Sequence, residues 1–483
     1  MLFNSIDFAL FLPIAFVIYW FWASKKLGRR NLFIVAASYL FYGWWDWRFL
    51  SLILFSTIVD FWAAQKIQST ENKSSRKSWL TVSLLVNLGL LGTLKYFNFF
   101  LDNFVELFTL FGQEFQADRL DVVLPVGISF YTFQTLSYTI DVYRKDLEAT
   151  KDPIAFAAYV SFFPQLVAGP IERATNLLPQ FYSIAGFRYQ QAVDGLRQIL
   201  WGLFKKIVIA DNCARYVDFA FKSTDELYGS TLLIGAVFFA FQIYGDFSGY
   251  SDIAIGTARL FGFKLRQNFA FPYFSRDIAE FWRRWHISLS TWFRDYLYIP
   301  LGGSRGNRFF VIRNVFIIFL VSGFWHGANW TFIVWGGLNA LLFIPLLLVN
   351  RNRRHLEVVA QGKTAASLKE IGQVLLTFLL TVLCWVFFRA DNLGHAFDYL
   401  GGMIDPSIIA YPKIMDDSDF WIVSVLLIVF TVIEWLGREG LYALEKIGLN
   451  WPKGWRWAMY YGIVLIILIF GRFEQNSFIY FQF

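Results

Sequence analysis

Cysteine and charged residues are both scarce in this sequence. Its two cysteines, Cys213 and Cys384, are too few for a disulfide framework, and their separation suits no metal site. Charged residues make up 16% of the 483 positions, whereas a soluble domain carries roughly a quarter. Because 57% of the residues are apolar and the mean hydropathy is +0.46, the sequence excludes an ordinary soluble domain and predicts a polytopic membrane protein.

Long apolar runs recur along the chain. Several have about 18 or more residues with few charges, close to the ~20 that a helix needs to cross ~30 Å of hydrocarbon. Backbone groups in lipid must satisfy their own hydrogen bonds, and these runs do not alternate as barrel strands do, so an all-α fold is predicted. We expect about eleven transmembrane helices, at 6–23, 31–45, 49–64, 79–101, 122–140, 231–244, 314–328, 331–349, 371–388, 420–436 and 457–471. Proline, glycine or lysine interrupts two further segments, 154–170 and 199–221, and one of them is predicted to be re-entrant.

The charges of the loops predict the orientation of the chain. Basic residues cluster around 25–30 and 66–77, and the stretch 259–313 carries ten bases against three acids. By the positive-inside rule these segments face the cytoplasm, which puts the N-terminus on the opposite side. The acidic loops around 102–121 and 389–419 fit that outer side.

Ionisable and aromatic residues concentrate in the stretch 275–330, which holds two of the four histidines. His326 follows Arg313, at the expected cytoplasmic surface, by thirteen residues. At a rise of 1.5 Å per residue it lies about 20 Å deep in the membrane, and ionisable residues at such depth usually serve a function. The alternative is a histidine tied to a neighbouring helix by one hydrogen bond. Three neighbours are predicted to line a substrate cavity or to orient the ring: Trp325, Asn329 and Trp330.

The second histidine, His286, lies in a periodic segment. Apolar residues recur there every three or four positions, at Phe281, Trp285, Leu289, Trp292 and Tyr296. This spacing predicts one amphipathic helix in the cytoplasmic interface, with His286 in its apolar stripe. A histidine that only packs is an equal alternative. Trp285 beside it, and the charges on the polar side, Arg283 and Arg284, are predicted to contact the substrate.

Two acids end the run at 231–244. Asp246 and Asp252 follow glycines in the string QIYGDFSGYSDIAIG. They could form an ion site, but the end of a span near the interface explains them as well.

Motifs of other chemistries are incomplete in this chain. Gly362, Lys363 and Thr364 resemble the end of a phosphate-binding loop, but Glu357 stands where the first glycine is required. The sequence contains no Gly-x-Ser-x-Gly, and two histidines without suitably spaced carboxylates do not form a metal site. The chemistry that these missing motifs leave open is general-base catalysis by a histidine, whose imidazole has an ordinary pKa of ~6.5. The basic belt would suit coenzyme A or anionic lipid headgroups equally.

The strings FWRRWHISLSTWFRDYLYIPLGG (281–303) and FWHGANWTFIVWG (324–336) resemble the membrane-bound O-acyltransferase (MBOAT) family, in particular its bacterial alginate O-acetyltransferase branch. Five further segments resemble the same branch: MLFNSIDFALFLP, LPVGISFYTFQTLSYTIDVYR, FFPQLVAGPIER, YGDFSGYSDIAIGTARLFGF and the closing FIYFQF. The similarity spans nearly the whole chain. It implies a single MBOAT domain over 1–483, with a catalytic motif region at 275–336.

The resemblance also implies roles for the two histidines. In the family the histidine of the WHG motif, here His326, is catalytic, and the histidine of the WRRWH motif, here His286, is its companion. The family fold is a ring of membrane helices, thinned at its middle, where acyl-CoA from the cytoplasm and the acceptor meet at the histidine. Members of this branch pass acetyl groups through the bacterial inner membrane to periplasmic partner enzymes, which acetylate an exported polysaccharide.

These implications fix the expected surroundings of the protein. We expect acetyl-CoA as a donor substrate, no bound cofactor or metal, membrane lipids around the helices, no nucleic-acid partner, and a periplasmic N-terminus. Three alternatives stay open. The acceptor could be peptidoglycan, or the donor a D-alanyl carrier protein as in teichoic-acid modification. A proton-coupled transporter is the alternative from another class, against which stand the single central cluster and the lack of internal repeats.

Overall fold

The computed structural model of the protein describes residues 1–112, 118–121, 123–167, 169–473 and 479. All regular elements of these residues are helices, which confirms the predicted all-α class. Some positions used in the sequence argument lie outside the described residues. They are residues 113–117 of the acidic loop, residue 122 of a predicted span, residue 168 of one resembling segment, and all of the closing FIYFQF except Ile479.

The described chain forms two compact units. The first comprises Met1–Gln191 with Ala258–Leu265, and the second comprises Ala192–Thr257 with Arg266–Phe483. A single domain over the whole chain therefore stays a prediction. The first unit contains nine complete α-helices: α1 (Ile6–Phe21), α2 (Leu27–Asp46), α3 (Leu50–Ser69), α4 (Lys73–Leu91), α5 (Phe97–Leu110), α6 (Ile128–Arg144), α7 (Pro153–Ser161), α8 (Phe163–Leu166) and α9 (Ala174–Leu177).

The second unit carries the two histidines of interest. Its α-helices are α10 (Tyr189–Leu203), which begins in the first unit, α11 (Asp211–Lys222), α12 (Gly229–Leu260), whose last residues belong to the first unit, α13 (Ile278–Arg284), α14 (Ile287–Phe293), α15 (Arg308–His326), α16 (Trp330–Leu348), α17 (Leu368–Arg389), α18 (Leu393–Met403), α19 (Asp417–Gly437) and α20 (Lys453–Phe470). A π-helical segment, Phe204–Ala210, joins α10 to α11. Such segments are rare and are frequent at functional sites.

Long apolar helices identify this chain as a multi-pass membrane protein. Nine helical segments of the described residues are long and apolar enough to cross a membrane. Two of these segments, Leu27–Ser69 and Lys73–Leu110, each contain two consecutive α-helices. The expected number of about eleven crossings therefore stays a prediction. The segment expected at 154–170 is divided between the short helices α7 and α8, as its prolines predict.

Close packing of α15 against α16 positions the end of α15. Gly323 lies against the backbone of Phe332, and Gly336 lies against the backbone of Phe319, so neither position has room for a Cβ atom. Two glycines that face the opposite backbone let the helices approach closely. This contact holds His326, the last residue of α15, beside the first turns of α16.

Candidate active site

The predicted amphipathic helix is broken at His286. α13 ends at Arg284, α14 begins at Ile287, and His286 between them has φ 44° and ψ 55°. The prediction of one helix through 281–296 is therefore wrong. A left-handed backbone at a residue other than glycine is uncommon and costs roughly 1–2 kcal/mol. Surrounding structure must hold such a conformation in place, and conformations of this kind cluster at functional sites.

Asn268 holds the broken segment. Its backbone carbonyl accepts the amide of Ile287 at 2.9 Å. Its side-chain Oδ1 accepts the hydroxyl of Ser288 at 2.9 Å and lies 3.2 Å from Nδ1 of His286. The amide Nδ2 of Asn268 donates to the hydroxyl of Ser251 at 3.2 Å, which fixes the orientation of the side chain. Because Oδ1 can only accept, Nδ1 of His286 carries the proton, and Nε2 is the atom with the lone pair.

The imidazole of His286 is neutral in this environment. The residue is 1% exposed and packs edge to face against Phe247, with 4.6 Å between the ring centroids. It lies between α13 and α14, outside the candidate membrane spans. Desolvation by burial lowers the pKa of His286 from 6.5 to about 3. The side chain can therefore accept a hydrogen bond at Nε2 near neutral pH.

His326 lies in a box of aromatic rings. Its ring centroid is 4.9 Å from that of Trp325, 5.1 Å from that of Trp335 and 5.2 Å from that of Phe388. The residue is 3% exposed. These rings exclude bulk water from the imidazole, and polar interactions in such an environment are stronger than in water.

Trp325 brings the two histidines together. Its indole ring is 4.9 Å from the ring of His326 and 6.1 Å from the ring of His286. The histidines of the WHG and WRRWH motifs thus contact the same indole within one unit, and the roles that the resemblance implies for them stay predictions.

An aromatic wall continues from Trp285 towards His326. Trp285 is 1% exposed, stacks on Phe281 at 5.5 Å, and contacts Trp385 at 5.0 Å. Trp385 stacks in turn on Trp335 at 5.6 Å. Trp285 therefore belongs to the same cluster of rings as His326. Contact of Trp285 with the substrate stays a prediction.

Asn329 and Trp330 lie at the start of α16. Oδ1 of Asn329 accepts the amide of Thr331 at 3.0 Å, and its Nδ2 donates to the carbonyl of Asp391 at 2.8 Å. Asn329 thus caps α16 and ties it to the end of α17. Trp330 is 50% exposed, unlike the buried Trp325. A role of either residue in substrate binding stays a prediction.

The two arginines before His286 hold a loop. Arg283 donates to the carbonyls of Asn352 at 2.5 Å and His355 at 2.8 Å. Arg284 donates to the carbonyl of Glu357 at 3.0 Å and pairs with Glu280 at 2.9 Å. Both guanidinium groups fasten the 352–357 loop to α13, and their contact with a substrate stays a prediction.

Asp246 and Asp252 belong to a buried ionic cluster. Lys206 lies 2.8 Å from Asp246 and 2.7 Å from Asp211. Lys205 lies 2.7 Å from Asp252 and 3.7 Å from Glu434. All six side chains are at most 10% exposed. The two acids are thus paired with lysines of the π-helical segment. Within the described part of the chain, no group of three His, Cys, Asp or Glu residues is arranged to hold a metal ion.

Three residues of the site were not predicted from the sequence: Asn268, Trp335 and Phe388. No spacing pointed to Asn268, because its role arises from a contact with the segment after α13. Trp335 stands in the resembling string 324–336 without an assigned role. The short connection between α15 and α16 was a signal from which Trp335 could have been predicted. A helical hairpin places the first turns of its second helix beside the end of its first helix.

Comparison with known proteins identifies a family and several relatives of this chain. The sequence profile described as "MBOAT, membrane-bound O-acyltransferase family" matches residues 146–388, which include both histidines. The chain is 40% identical over 454 residues to a probable alginate O-acetylase AlgI of Azotobacter vinelandii, covering 93% of this chain and 87% of the relative. It is 42% identical over 399 residues to the Pseudomonas aeruginosa protein of the same name, covering 82% and 73%. It is also 38% identical over 434 residues to a peptidoglycan O-acetyltransferase of Helicobacter pylori, covering 84% and 80%.

Proposed function

Because the chain belongs to the MBOAT family and is a membrane-bound O-acyltransferase, we propose that it moves an acetyl group from cytoplasmic acetyl-CoA across the inner membrane for O-acetylation of an exported, alginate-like polysaccharide. The observation that carries the proposal is the pair of buried histidines, His286 and His326, packed against the one indole of Trp325. Both lie in the segment that matches the family.

His326 acts as the general base. One of its ring nitrogens takes the proton from the acceptor hydroxyl as the hydroxyl oxygen bonds to the thioester carbonyl carbon. The carbon–sulfur bond then breaks, and the coenzyme A thiolate receives the proton from the imidazolium. Base and acceptor return to their starting charges.

The aromatic box contributes exclusion of water and orientation. Trp335 and Phe388 flank the imidazole of His326, and such apolar walls limit hydrolysis of a thioester. Holding donor and acceptor beside the base turns a bimolecular encounter into a reaction within one complex. His286, neutral and fixed by Asn268, positions a substrate through Nε2.

The placement in the cell follows from the charge pattern and from the family. The donor enters on the cytoplasmic side, where the basic stretch 259–313 lies. The N-terminus is periplasmic. Periplasmic acetyltransferase partners receive the acetyl group and transfer it to the polysaccharide, which is the final acceptor. Membrane lipids surround the helices.

Peptidoglycan is the second candidate acceptor. The Helicobacter pylori relative, a peptidoglycan O-acetyltransferase by name, is 38% identical to this chain, close to the 40% of an alginate O-acetylase. Sequence similarity therefore supports both acceptors to a comparable degree. The D-alanyl carrier protein is the corresponding alternative for the donor.

Radiolabelled acetyl-CoA tests donor and acceptor together. The protein in nanodiscs is incubated with it and with either a mannuronate-type polysaccharide or peptidoglycan fragments, each with periplasmic extract. Release of free coenzyme A and label in the polysaccharide are expected. Label only in peptidoglycan would reassign the acceptor. Absence of thioester turnover, with transfer from a D-alanyl carrier protein, would reassign the donor, and proton flux without turnover would favour a transporter.

A further inference from the structure

A pocket with several charged lining residues lies where α19 ends. None of its lining residues belongs to the segment that carries His286 and His326. The pocket has a volume of about 380 Å³. Its walls are the segment Gly362–Thr364, the last residues of α19 with the turn that follows (436–440), and residues of the segment 443–447. The charged side chains at these walls are Lys363, Arg438, Glu439 and Lys446. The Gly-Lys-Thr triplet that fails as a nucleotide-binding loop thus forms one side of this cavity.

Arg438 builds the pocket wall. The residue is 5% exposed, and its guanidinium lies 4.0 Å from the ring centroid of Trp435. It donates to the carbonyl of Val359 at 3.0 Å, to that of Ala360 at 2.8 Å, and to that of Lys363 at 2.5 Å. A buried cation that binds the carbonyls of one segment fixes that segment. The pocket is therefore preformed on the 359–363 side.

The charges of the pocket favour an anion. Lys363 and Lys446 are exposed, so their ammonium groups can turn towards a ligand in the cavity. Glu439 is the one acid among the charged lining residues, and its carboxylate accepts the amide of Gly362 at 2.7 Å. Three cations against one carboxylate leave an excess of positive charge at the pocket.

The pocket lies at the level where a membrane meets water. α19 and α20 are both candidate membrane spans, and the pocket is built from the connection between them. Trp451 in this connection is 47% exposed, and Trp455 and Trp457 in the first turns of α20 are 70% and 47% exposed. Exposed tryptophans at the ends of spans mark the headgroup region of the bilayer. On one side of the pocket, Leu436 is 62% exposed and offers an apolar surface.

We infer that this pocket binds the phosphate group of an anionic phospholipid. The ammonium groups of Lys363 and Lys446 at the headgroup level are the donors that recognise such a phosphate, and the exposed Leu436 can contact its acyl chain. Arg438 adds its positive charge, while its guanidinium holds the carbonyls of Val359, Ala360 and Lys363. A cavity of ~150 Å³ holds a benzene molecule, so the volume here accommodates a phosphate with its attached headgroup. The inference does not depend on the identity of the acyl donor or acceptor.

Titration with short-chain lipids tests the inference. Short-chain phosphatidylglycerol and phosphatidylcholine are each titrated into the full-length, detergent-purified protein by calorimetry. The test variant is Lys363→Ala with Lys446→Ala, which leaves the buried Arg438 in place. The matched control is Lys66→Ala with Lys73→Ala, which removes the same charge from exposed positions in the last turn of α3 and at the start of α4, on the side predicted to face the cytoplasm. A third variant, Lys363→Arg with Lys446→Arg, restores the charge.

The expected result is selective binding of phosphatidylglycerol that the test variant weakens roughly 10- to 30-fold. The control and the arginine variant should bind as the wild type does, and added salt should weaken binding. Equal affinity for both lipids, or equal loss in test and control variants, would overturn the inference. Loss of coenzyme A binding with unchanged phosphatidylglycerol binding would also overturn it, because the pocket would then hold the phosphates of the donor.

Discussion

The side-chain oxygen of Asn268 lies 3.2 Å from Nδ1 of His286, and the backbone carbonyl of the same asparagine accepts the amide of Ile287 at 2.9 Å. One residue thus fixes both the left-handed backbone and the tautomer of a histidine in the candidate active site. The hydrogen bond that one ring nitrogen of a histidine makes determines the protonation of the other. With Nδ1 held by Asn268, Nε2 is the nitrogen available to a substrate.

Replacement of Asn268 should lower activity through His286. Asn268→Ala removes the acceptor for Nδ1, and we expect acetyl turnover to fall about 10- to 100-fold, the loss that follows when a metal-bound histidine is deprived of the hydrogen-bond partner that orients it. Asn268→Asp keeps an acceptor and should recover most of the loss. Coenzyme A release measures both variants.

Asn314→Ala is the control for a merely structural effect. Asn314 is fully buried and donates to the carbonyls of Leu301 and Gly303. This variant should lower thermal stability yet keep its turnover per folded molecule. Equal loss of turnover in Asn268→Asp and Asn268→Ala would show that the asparagine does not act through an acceptor for Nδ1.

The low pKa of His286 predicts acid sensitivity. The folded protein protonates this residue only near pH 3, whereas the unfolded chain does so near 6.5. Stability from this group is therefore complete above pH 6.5 and decreases as the pH falls towards 3, by about 1.4 kcal/mol per pH unit.

His286→Gln removes this titration while it keeps a side-chain donor. Melting temperatures of wild type and variant, measured between neutral and acidic pH, should differ in slope, with the steeper decrease for the wild type. Parallel curves would contradict the assignment of a buried neutral imidazole.

The lysines of the π-helical segment should be essential for stability. Lys206→Met leaves Asp211 and Asp246 buried without their cation, and removal of one partner from a buried pair costs ~3–5 kcal/mol. The melting temperature of the purified protein should therefore fall far more for Lys206→Met than for Lys222→Met, because Lys222 is an exposed lysine at the end of α11. Addition of Asp246→Asn should recover part of the loss. A similar melting temperature for both lysine variants would argue against the ionic cluster.

Much of the architecture followed from composition and hydropathy. The apolar runs predicted helices, and the WHG and WRRWH motifs contain the two histidines whose rings contact Trp325. The break at His286 could not be predicted, because Phe281, Trp285, Leu289 and Trp292 keep a helical spacing across it and no glycine or proline interrupts them. The left-handed backbone is stabilised by Asn268, whose contact is distant in sequence.

The ion-pair partners of Asp246 and Asp252 could not be predicted from the residues near them in sequence either. Their position in an apolar run indicated a function or a span end, whereas the structure pairs them with Lys206 and Lys205. Two lysines that interrupt the segment 199–221 carried a signal that was not used. Buried charges in a membrane protein need partners, so lysines and acids in neighbouring apolar segments can be matched.

Coenzyme A release from acetyl-CoA, measured for wild type, His326→Ala and His395→Ala in nanodiscs, tests the central claim most directly. His395 is the matched control because it lies on α18, where its ring contacts Thr224 and Phe221. We expect His326→Ala to lower turnover by ~10²–10⁴ and His395→Ala to leave it unchanged, with both variants eluting as folded protein. Turnover by folded His326→Ala close to that of the wild type would contradict His326 as the general base.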